Sequence, residues 1–448
     1  NFRADGSSQF GPDKRWGYFP SGAVAWIITE ENFMKDYSNI VSYLKLRGSV
    51  GKTGSQNLGA YDWRTLMGSA TYNGAAGIVP SSLGNDILQW EEQIQKEVGL
   101  DYGFWDDRIR GTLGYYQKKV DNLLYSDPVP TSSSFSSVYQ NIGSLKNRGI
   151  EFDVRVDIIK NVQKDLTWNV DFNIARNRTT LEKLNSSDGY FGGGAYDYFK
   201  IEEGGETGRF YGYKDAGRLF MTNEELVGLK TIDPKTGTLK YYRDDYNYER
   251  QGDVYIMDLD GDGQITADGD RTVIGNANPD FFGGFGSTLY WKGLMLNAVF
   301  SYSVGGDRFW DEEKNSSGDM NVYNTSNRIL DSWTVNPGVN ASYPRAMYYG
   351  WGSNSIITDR YIHDASYLRM TALNLSYRLP KHLYKNSILN AVEFTFQATN
   401  LFTWTKYPGM DPQGNFSTTY SAFYNMGIDY STYPSARTYN FGIKLTLK

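Results

Sequence analysis

The chain has 448 residues, no cysteine and a formal net charge of −6 at neutral pH. A disulfide framework and a cysteine-built metal site are therefore excluded, and nucleic acid is not expected as a partner because no basic stripe is present. Aromatic residues make up 16% of the chain, and glycine contributes 48 residues. No apolar run approaches the ~20 residues that a membrane-spanning helix requires.

Alternation of apolar and polar residues predicts β-strands along much of the chain. Their length of about ten residues suits a strand that crosses a bilayer at a tilt. A stub at the first residues is followed in chain order by predicted strands at 18–28, 40–52, 93–104, 109–118, 150–158, 166–174, 283–291, 294–304, 367–379, 391–402 and 438–447. The segment 18–28 is the weakest of these, because its two faces differ little and it contains Pro20.

Short and long connections alternate between these strands. The short links are 29–39, 105–108, 159–165, 292–293 and 380–390, and the long ones are 53–92, 119–148, 176–282, 305–366 and 403–437. Outer-membrane barrels have short periplasmic turns and long extracellular loops. The pattern therefore predicts an all-β fold, a transmembrane antiparallel β-barrel with long extracellular loops and with Lys448 on the periplasmic side.

The two faces of the predicted strands differ in charge. The positions expected to face lipid are Ile150, Phe152, Val154, Val156, Trp168, Val170 and Phe172. The positions expected to face the lumen, along a solute path, in a solvated wall or in contact with a plug, are Glu151, Asp153, Arg155, Asp157 and Asp171. Aromatic residues recur near strand ends, as interfacial girdles or simply as common strand residues: Trp26, Trp105, Trp291, Tyr302 and Tyr377.

The sharpest local motif, at 258–266, is similar to the first part of an EF-hand-type calcium loop. Asp258, Asp260 and Asp262 occupy the first, third and fifth positions of that loop. Gly263 permits the sharp turn, and the backbone carbonyl of Gln264 would be a further ligand. These features predict a site for a hard divalent cation.

Beyond that point the motif departs from the calcium-loop pattern. The twelfth position is Gly269, so the remaining carboxylate would come from Asp268 or Asp270. Calcium is preferred to magnesium because the ligand set is rich in protein oxygens and the loop is flexible. The sequence predicts a structural Ca²⁺ ion held by Asp258, Asp260, Asp262, Gln264 and Asp270, with an Asp/Gly-rich turn as the alternative.

Aromatic residues are dense in the predicted loops, where they would stack on sugar rings, contact a partner protein or pack within the loops. They are Tyr190, Phe191, Tyr196, Tyr198, Tyr348, Tyr349 and Trp351. The last three, Tyr348, Tyr349 and Trp351, are the candidate contacts to a substrate or partner.

No catalytic constellation is evident in the sequence, and GxSxG, P-loop and dinucleotide motifs are absent. The histidines, His363 and His382, are expected in loops or turns, although a catalytic dyad that uses either stays open. The sequence therefore predicts that the protein is not an enzyme.

Several segments together resemble SusC-like TonB-dependent outer-membrane transporters. Arg148, within 147–151, opens a strand in a manner similar to TonB-dependent receptors generally. The acidic residue before Arg271-Thr272 closes the cation loop in the family, where this chain has one extra residue. The segments that carry the resemblance are 3–11, 147–151, 208–213, 258–279, 364–369 and 398–402.

This resemblance implies import of a glycan or peptide nutrient across the outer membrane of a Gram-negative bacterium. It also implies contact with outer-membrane lipid, a SusD-like surface lipoprotein and a plug engaged by TonB. Plug, TonB-contacting segment and first barrel strands lie N-terminal in the family, so residues 1–448 are expected to form the C-terminal part of a plugged barrel of about 22 strands. The alternatives are an outer-membrane barrel enzyme and a soluble secreted glycan-binding β-protein.

Overall fold

The main element of the computed structural model is an antiparallel sheet of twelve strands, each paired with the sheet strands that come before and after it along the chain. The structure describes residues 1–184, 190–192, 198–222, 225, 231–232, 239–240, 250–318, 324–335, 337–338, 341–346, 354, 356–385, 387–414, 426–430 and 432–448. The sheet strands are β1 (Phe2–Gly6), β2 (Trp16–Ile27), β3 (Val41–Ser55), β4 (Glu91–Phe104), β5 (Ile109–Asp121), β6 (Ser144–Asn161), β7 (Leu166–Lys183), β8 (Phe281–Trp291), β9 (Leu294–Val304), β10 (Tyr367–Arg378), β11 (Leu389–Thr405) and β12 (Thr438–Leu447).

The predicted strands and their order are confirmed, but several strands are longer than predicted. Both β6 and β7 have 18 residues and continue past the predicted segments 150–158 and 166–174 toward the long loops. Backbone pairing needs no apolar face, so the ladder persists where the apolar alternation has already ended.

Pro20 lies inside β2, in the segment whose alternation is weakest. Residues 16–20 pair with β1, whereas residues 21–27 pair with β3. The proline therefore sits where the strand changes neighbours, and the N–H that it lacks is not needed for a bond to β3.

The strand register places the predicted apolar and charged residues on opposite faces of the sheet. Directly opposed residues in an antiparallel pair share a face. Asp153 is opposite Thr112 on one side and Asn173 on the other, and Val154 is opposite Gly111 and Phe172. The sheet therefore has one apolar face and one polar face, as the alternation predicts.

Charged residues on the polar face pair with one another across strands. Arg47 of β3 forms ion pairs with Glu97 and Asp101 of β4, the second at 3.2 Å. Lys45 lies 3.3 Å from Asp101. These side chains stay partly exposed, as expected for a face that borders water.

The short connections lie at one end of the sheet and the long ones at the other. Trp26, Trp105, Trp291 and Tyr377 are exposed at the short-connection end, and Tyr302 lies toward the other end. No helix among the described residues is long and apolar enough to cross a membrane.

Three long loops fold together beyond the sheet, and we call them the cap: 184–280, 305–366 and 406–437. Their shared apolar cluster, the cap core, combines Tyr198, Phe199, Phe210, Ile274 and Ala277 of the first loop with Phe309 and Tyr361 of the second and Ile428 of the third. Residues far apart in the sequence therefore build one buried unit.

Small paired strands frame the cap and the other loops. In the cap these are Arg209–Tyr213 with Arg271–Asn276, Asp215–Leu219 with Val254–Ile256, Tyr190–Gly192 with Lys200–Glu202, Thr231–Ile232 with Leu239–Lys240, and Asp307–Trp310 between Ile362–Asp364 and Ile428–Asp429. Elsewhere they are Met67–Tyr72 with Ala75–Pro80 and Leu124–Pro128 with Ser137–Asn141.

The helical segments are short and lie in turns and loops. They are the α-helices Ala267–Asp270 and Asp311–Glu313, the π-helix Lys314–Gly318, and the 3₁₀ helices Pro12–Lys14, Ile28–Glu30, Asn32–Tyr37, Thr131–Ser133, Val162–Lys164, Asn327–Asp331, Asp359–Tyr361 and Lys381–Tyr384.

Candidate functional site

The predicted cation loop forms a compact turn on the first loop of the cap. One oxygen from each of Asp258, Asp260 and Asp262 lies within 4.8 Å of the others. Gly261 and Gly263 have φ values of 76° and 81°, which only glycine adopts without strain. The backbone thus folds so that three carboxylates converge.

Backbone N–H groups orient these carboxylates. The N–H groups of Gly261 and Gly263 donate to the two oxygens of Asp258, at 2.7 and 2.8 Å. The Gln264 N–H donates to Asp262 at 2.8 Å. None of the three aspartates forms an ion pair with a described Lys or Arg, so their charges are left to solvent or to a cation.

Asp270 closes the loop from its buried side. It has 0% relative exposure. Its two oxygens accept the N–H groups of Leu259 and Thr266, both at 2.7 Å. The structure therefore shows Asp270 bracing both ends of the loop, while its role as a ligand, like that of the Gln264 carbonyl, stays a prediction.

The pKa of Asp260 shows the electrostatic consequence of this crowding. The N–H of Asp262 donates to Asp260 and favours the charged carboxylate. Desolvation and the charges of Asp262 and Asp270 outweigh that bond, so the pKa of Asp260 is raised. A divalent cation would remove this repulsion, and hard carboxylate oxygens are the donors that calcium takes.

The loop is anchored into the cap by Ile265, the residue after Gln264. Ile265 is buried with Leu219, Phe220, Val254 and Ile256, and this cluster also packs against Trp333, Ala341 and Ile356 of the second cap loop. The conformation of the cation loop is therefore linked to the contact between two cap loops.

Buried ionic contacts join the same two loops. Asp253 accepts hydrogen bonds from Arg345, at 3.1 Å, and from the Asn354 side chain, at 2.7 Å. Burial raises the pKa of Asp253, although the neighbouring Arg345 opposes the shift. Arg360 and Asp215 form a second ion pair, at 2.7 Å.

A third ionic contact fastens the cap to the sheet. Arg369 of β10 and Asp411 of the third cap loop are 4% and 5% exposed and lie 2.6 Å apart. Arg369 also donates to Gln413, at 2.6 Å, and to Thr403 of β11, at 3.0 Å. The loop is thereby held against the polar face of the sheet. Sequence reasoning missed this pair, because nothing near Asp411 in the chain points to Arg369.

The remaining predicted residues have different outcomes. Tyr198 is 2% exposed in the cap core, so packing within the loops is confirmed for this aromatic. His363 lies in a short cap strand with its Nε2 2.5 Å from Glu313, and His382 lies in the turn between β10 and β11. Outside the described residues lie Tyr196, Tyr348, Tyr349 and Trp351.

Comparison with known proteins identifies the family to which this architecture belongs. A family described as TonB dependent receptor-like, beta-barrel, matches residues 1–401. The chain belongs to the TonB-dependent receptor family. Members of this family are transporters of the Gram-negative outer membrane and not enzymes, so the sheet is barrel wall. Long loops of outer-membrane barrels are extracellular, and the cap is built from such loops.

Relatives of this TonB-dependent receptor match it along nearly its whole length. TonB-dependent receptor P3 of Formosa agariphila is 33% identical over 99% of this chain and 43% of the relative. TonB-dependent receptor SusC of Bacteroides thetaiotaomicron is 31% identical over 99% of this chain and 41% of the relative. The chain thus spans less than half the length of these relatives.

Among solved structures, the RagAB peptide importer in its closed-closed state superimposes with a TM-score of 0.76 and 27% sequence identity. The superposition covers 99% of this chain and 45% of that chain. The twelve strands and the cap are therefore similar to part of that peptide importer.

Proposed function

We propose that the protein imports a glycan or peptide nutrient across the outer membrane in a TonB-dependent manner, together with a SusD-like surface lipoprotein. The observation that carries this proposal is the match, along 99% of the chain, to the receptor SusC and to the RagAB peptide importer. The extracellular cap supports it, because three interlocked loops offer a fixed surface to a substrate or lid.

We further propose that the twelve strands are the C-terminal part of a plugged barrel of about 22 strands. The outer strands β1 and β12 each pair on one side only within the described sheet. A bilayer does not tolerate such unpaired strand edges, so further strands must complete the wall. The plug and the segment that contacts TonB would belong to the part of the relatives that this chain does not span.

The test of import uses the full-length receptor in its own cell. Uptake of labelled oligosaccharides and labelled peptides is compared between wild-type cells, a receptor deletion and the complemented deletion. Import through this receptor requires that one substrate class enters wild-type and complemented cells only, and that an uncoupler of the proton gradient stops its entry. Uptake that persists in the deletion, or that ignores the uncoupler, contradicts the proposal.

We also propose that Asp258, Asp260 and Asp262 bind a structural Ca²⁺ ion, with the Gln264 carbonyl and Asp270 as further ligands. The convergent carboxylates, the glycines with positive φ and the anchor at Ile265 support this assignment. Calcium is abundant outside cells, so the affinity of extracellular modules, ~10⁻⁴–10⁻³ M, would suffice. Its role would be to fix the conformation of the cation loop, so that Ile265 stays packed between the first and second cap loops.

Limited proteolysis tests the calcium proposal. In the full-length receptor, calcium should protect residues 250–275 from cleavage, and Asp260→Ala should abolish that protection. Asp268→Ala is the matched control, because Asp268 is exposed and outside the convergent set, whereas Asp270, the other candidate for the remaining carboxylate, is bonded to both ends of the loop. Equal cleavage of wild type and Asp260→Ala, with and without calcium, would mean that the acidic run is only a solvated turn.

For substrate or lid contact we propose the loop aromatics Tyr348, Tyr349 and Trp351. Rings of this kind stack on sugar faces and supply rigid contact area to protein partners. Replacing all three by alanine should reduce uptake or lipoprotein binding while calcium protection of 250–275 stays unchanged. Unchanged uptake and unchanged lipoprotein binding would remove them from the candidate site.

A further inference from the structure

We propose that the outer face of the wall carries a binding site for net-anionic, phosphate-bearing lipid headgroups of the outer leaflet, built from Lys96, Arg148 and Arg176. All three are exposed and lie on the apolar face of the sheet, in β4, β6 and β7. The proposal rests on the membrane position of the barrel and not on what the receptor imports.

The register determines that these cations face outward. Lys96 is opposite Val50 and Gln117, and Gln117 is opposite Arg148, which in turn is opposite Arg178. One step toward the periplasm the same face carries exposed apolar side chains at Val98, Tyr115 and Ile150, with Arg176 directly opposite Ile150. The cations therefore border the apolar band.

Their height matches the edge of a bilayer. Strands rise about 3.3 Å per residue and tilt about 40° in outer-membrane barrels, and the apolar band is about 25 Å tall. Lys96 then lies roughly 20 Å above Phe104, and Arg176 roughly 25 Å above Leu166. This is the level of lipid headgroups on the side of the long loops.

Neighbouring cations on the same face have carboxylate partners, whereas the three proposed ligands of the headgroup have none among the residues that the structure describes. One row further from the membrane, Lys52 pairs with Glu92 at 2.7 Å, Lys119 with Asp121 at 3.0 Å, and Lys146 with Glu182 at 3.1 Å. By contrast, Lys96, Arg148 and Arg176 form no ion pair with any carboxylate in the described part of the chain. Arg178, directly opposite Arg148, is paired with Asp280 at 3.1 Å, so these three are the cations of β4 to β7 at the lipid border that the described residues leave without a carboxylate partner.

This cationic edge is confined to one sector of the wall. The apolar face of β8 to β12 carries no Lys or Arg, and toward the long loops it presents Phe281, Tyr302, Leu368, Trp404 and Tyr439. Adjacent strands lie about 4.8 Å apart, so the three cations from β4 to β7 span roughly 15 Å. That width suits one or two phosphorylated headgroups, and Lys and Arg near an anionic membrane surface attract such groups.

The test measures lipid retention by the full-length receptor, purified in neutral detergent and supplied with phosphatidylglycerol or with phosphatidylcholine. Bound lipid is counted by native mass spectrometry. Each cation near the surface contributes about fivefold in affinity, so replacing Lys96, Arg148 and Arg176 together by glutamine should weaken phosphatidylglycerol retention about a hundredfold. Phosphatidylcholine retention should not change.

The matched control replaces three cations of the polar face, Lys118, Arg155 and Lys444, by glutamine, which changes the net charge equally. This control should retain phosphatidylglycerol like wild type. The heat-dependent gel shift of the folded barrel confirms that each variant folds, and Lys96→Gln alone, an exposed and unpaired position, should still lose about fivefold.

Four outcomes would overturn the proposal. The first is equal retention of phosphatidylglycerol by wild type and the outer-face variant, and the second is a loss in the polar-face control as large as in the outer-face variant. The third is that wild type retains phosphatidylcholine as well as it retains phosphatidylglycerol. The fourth is displacement of bound phosphatidylglycerol by millimolar inorganic phosphate. The last would mean that the cations bind a free anion and not a membrane lipid.

Discussion

Paired charged side chains are partly exposed in the wall of this receptor, whereas several charged side chains are buried in its cap. In the wall, the charges of β3 and β4 line one face, where Arg47 and its partners Glu97 and Asp101 remain partly exposed. In the cap and at its junction with the wall, Asp253, Arg369 and Asp411 are almost fully buried. The same residue types therefore coat a surface in one region and fasten loops in the other.

The reason lies in how each region satisfies its backbone. Long ladders in the wall pair the backbone groups without help from side chains. The paired strands of the cap that the structure describes have six residues at most, so ionic contacts such as Asp253–Arg345 and apolar clusters must hold its loops together. The stability cost of changing a charge in the wall should therefore depend on which face the residue is on. In the cap it should depend on whether the change leaves a buried partner without its counter-charge.

The largest expected effect is at the junction between the two regions. Arg369→Met should destabilise the receptor by about 3–5 kcal/mol, because it leaves the Asp411 carboxylate buried without its cation. Thermal unfolding of the full-length receptor, with hydrogen exchange at residues 403–414, measures the loss.

The exposed pair Arg3–Asp5 is the matched control, with atoms 2.9 Å apart and the arginine side chain 60% exposed. Arg3→Met should cost at most ~1 kcal/mol, as surface pairs do. If the two arginine substitutions cost the same, burial of charge does not distinguish the junction from the wall surface.

A substitution on the lipid face of the wall should have the next largest effect. Val154→Arg places a charge among apolar side chains near the middle of β6 and should cost ~2–4 kcal/mol in the bilayer. Asp153→Asn, one residue away on the polar face, should cost little, because the amide still accepts the hydrogen bond from Thr112. Equal tolerance of both changes in reconstituted receptor would contradict the assignment of the two faces.

The smallest effect should appear on acidification. Burial of Asp411 favours its neutral form, but hydrogen bonds from Arg369 and from the N–H groups of Gln413 and Ser435 outweigh it, so the pKa of Asp411 is lowered from 3.8. Because the carboxyl pKa is lower in the folded state than in the unfolded state, the ionised group stabilises the fold at any pH above its unfolded-state pKa. This contribution is lost as the pH falls through the folded-state pKa. The protection of amides at residues 403–414, meaning how far their exchange rate lies below the intrinsic rate at the same pH, should therefore stay constant above about pH 5 and fall below about pH 4.

Arg369→Met supplies the control for this pH dependence. Since the variant has already lost the partner that lowers the pKa of Asp411, its exchange at the same segment should respond less to acid than that of wild type. An identical acid response in both proteins would assign the effect to other carboxylates.

Much of the wall could be predicted from the sequence, because alternation reports the two faces of each strand locally. Segments such as 150–158 and 166–174 are in their predicted places and order. Their ends could not be predicted, since β6 and β7 continue as paired strands beyond the apolar band. The carboxylates of the cation loop were also evident, because a turn of five residues brings Asp258, Asp260 and Asp262 together without help from distant chain.

The cap and the sites that depend on register were decided only by the tertiary structure. Phe309 packs beside Ile428, and Arg369 meets Asp411, although each pair joins different loops or strands and carries no local pattern. Lys96, Arg148 and Arg176 come together only once β4 to β7 are aligned. Sequence alone therefore determined which residues share the apolar face of the sheet, because alternation has a local period. Pairing between distant segments decided how the loops close and where charges gather, because those contacts depend on the fold of the whole chain.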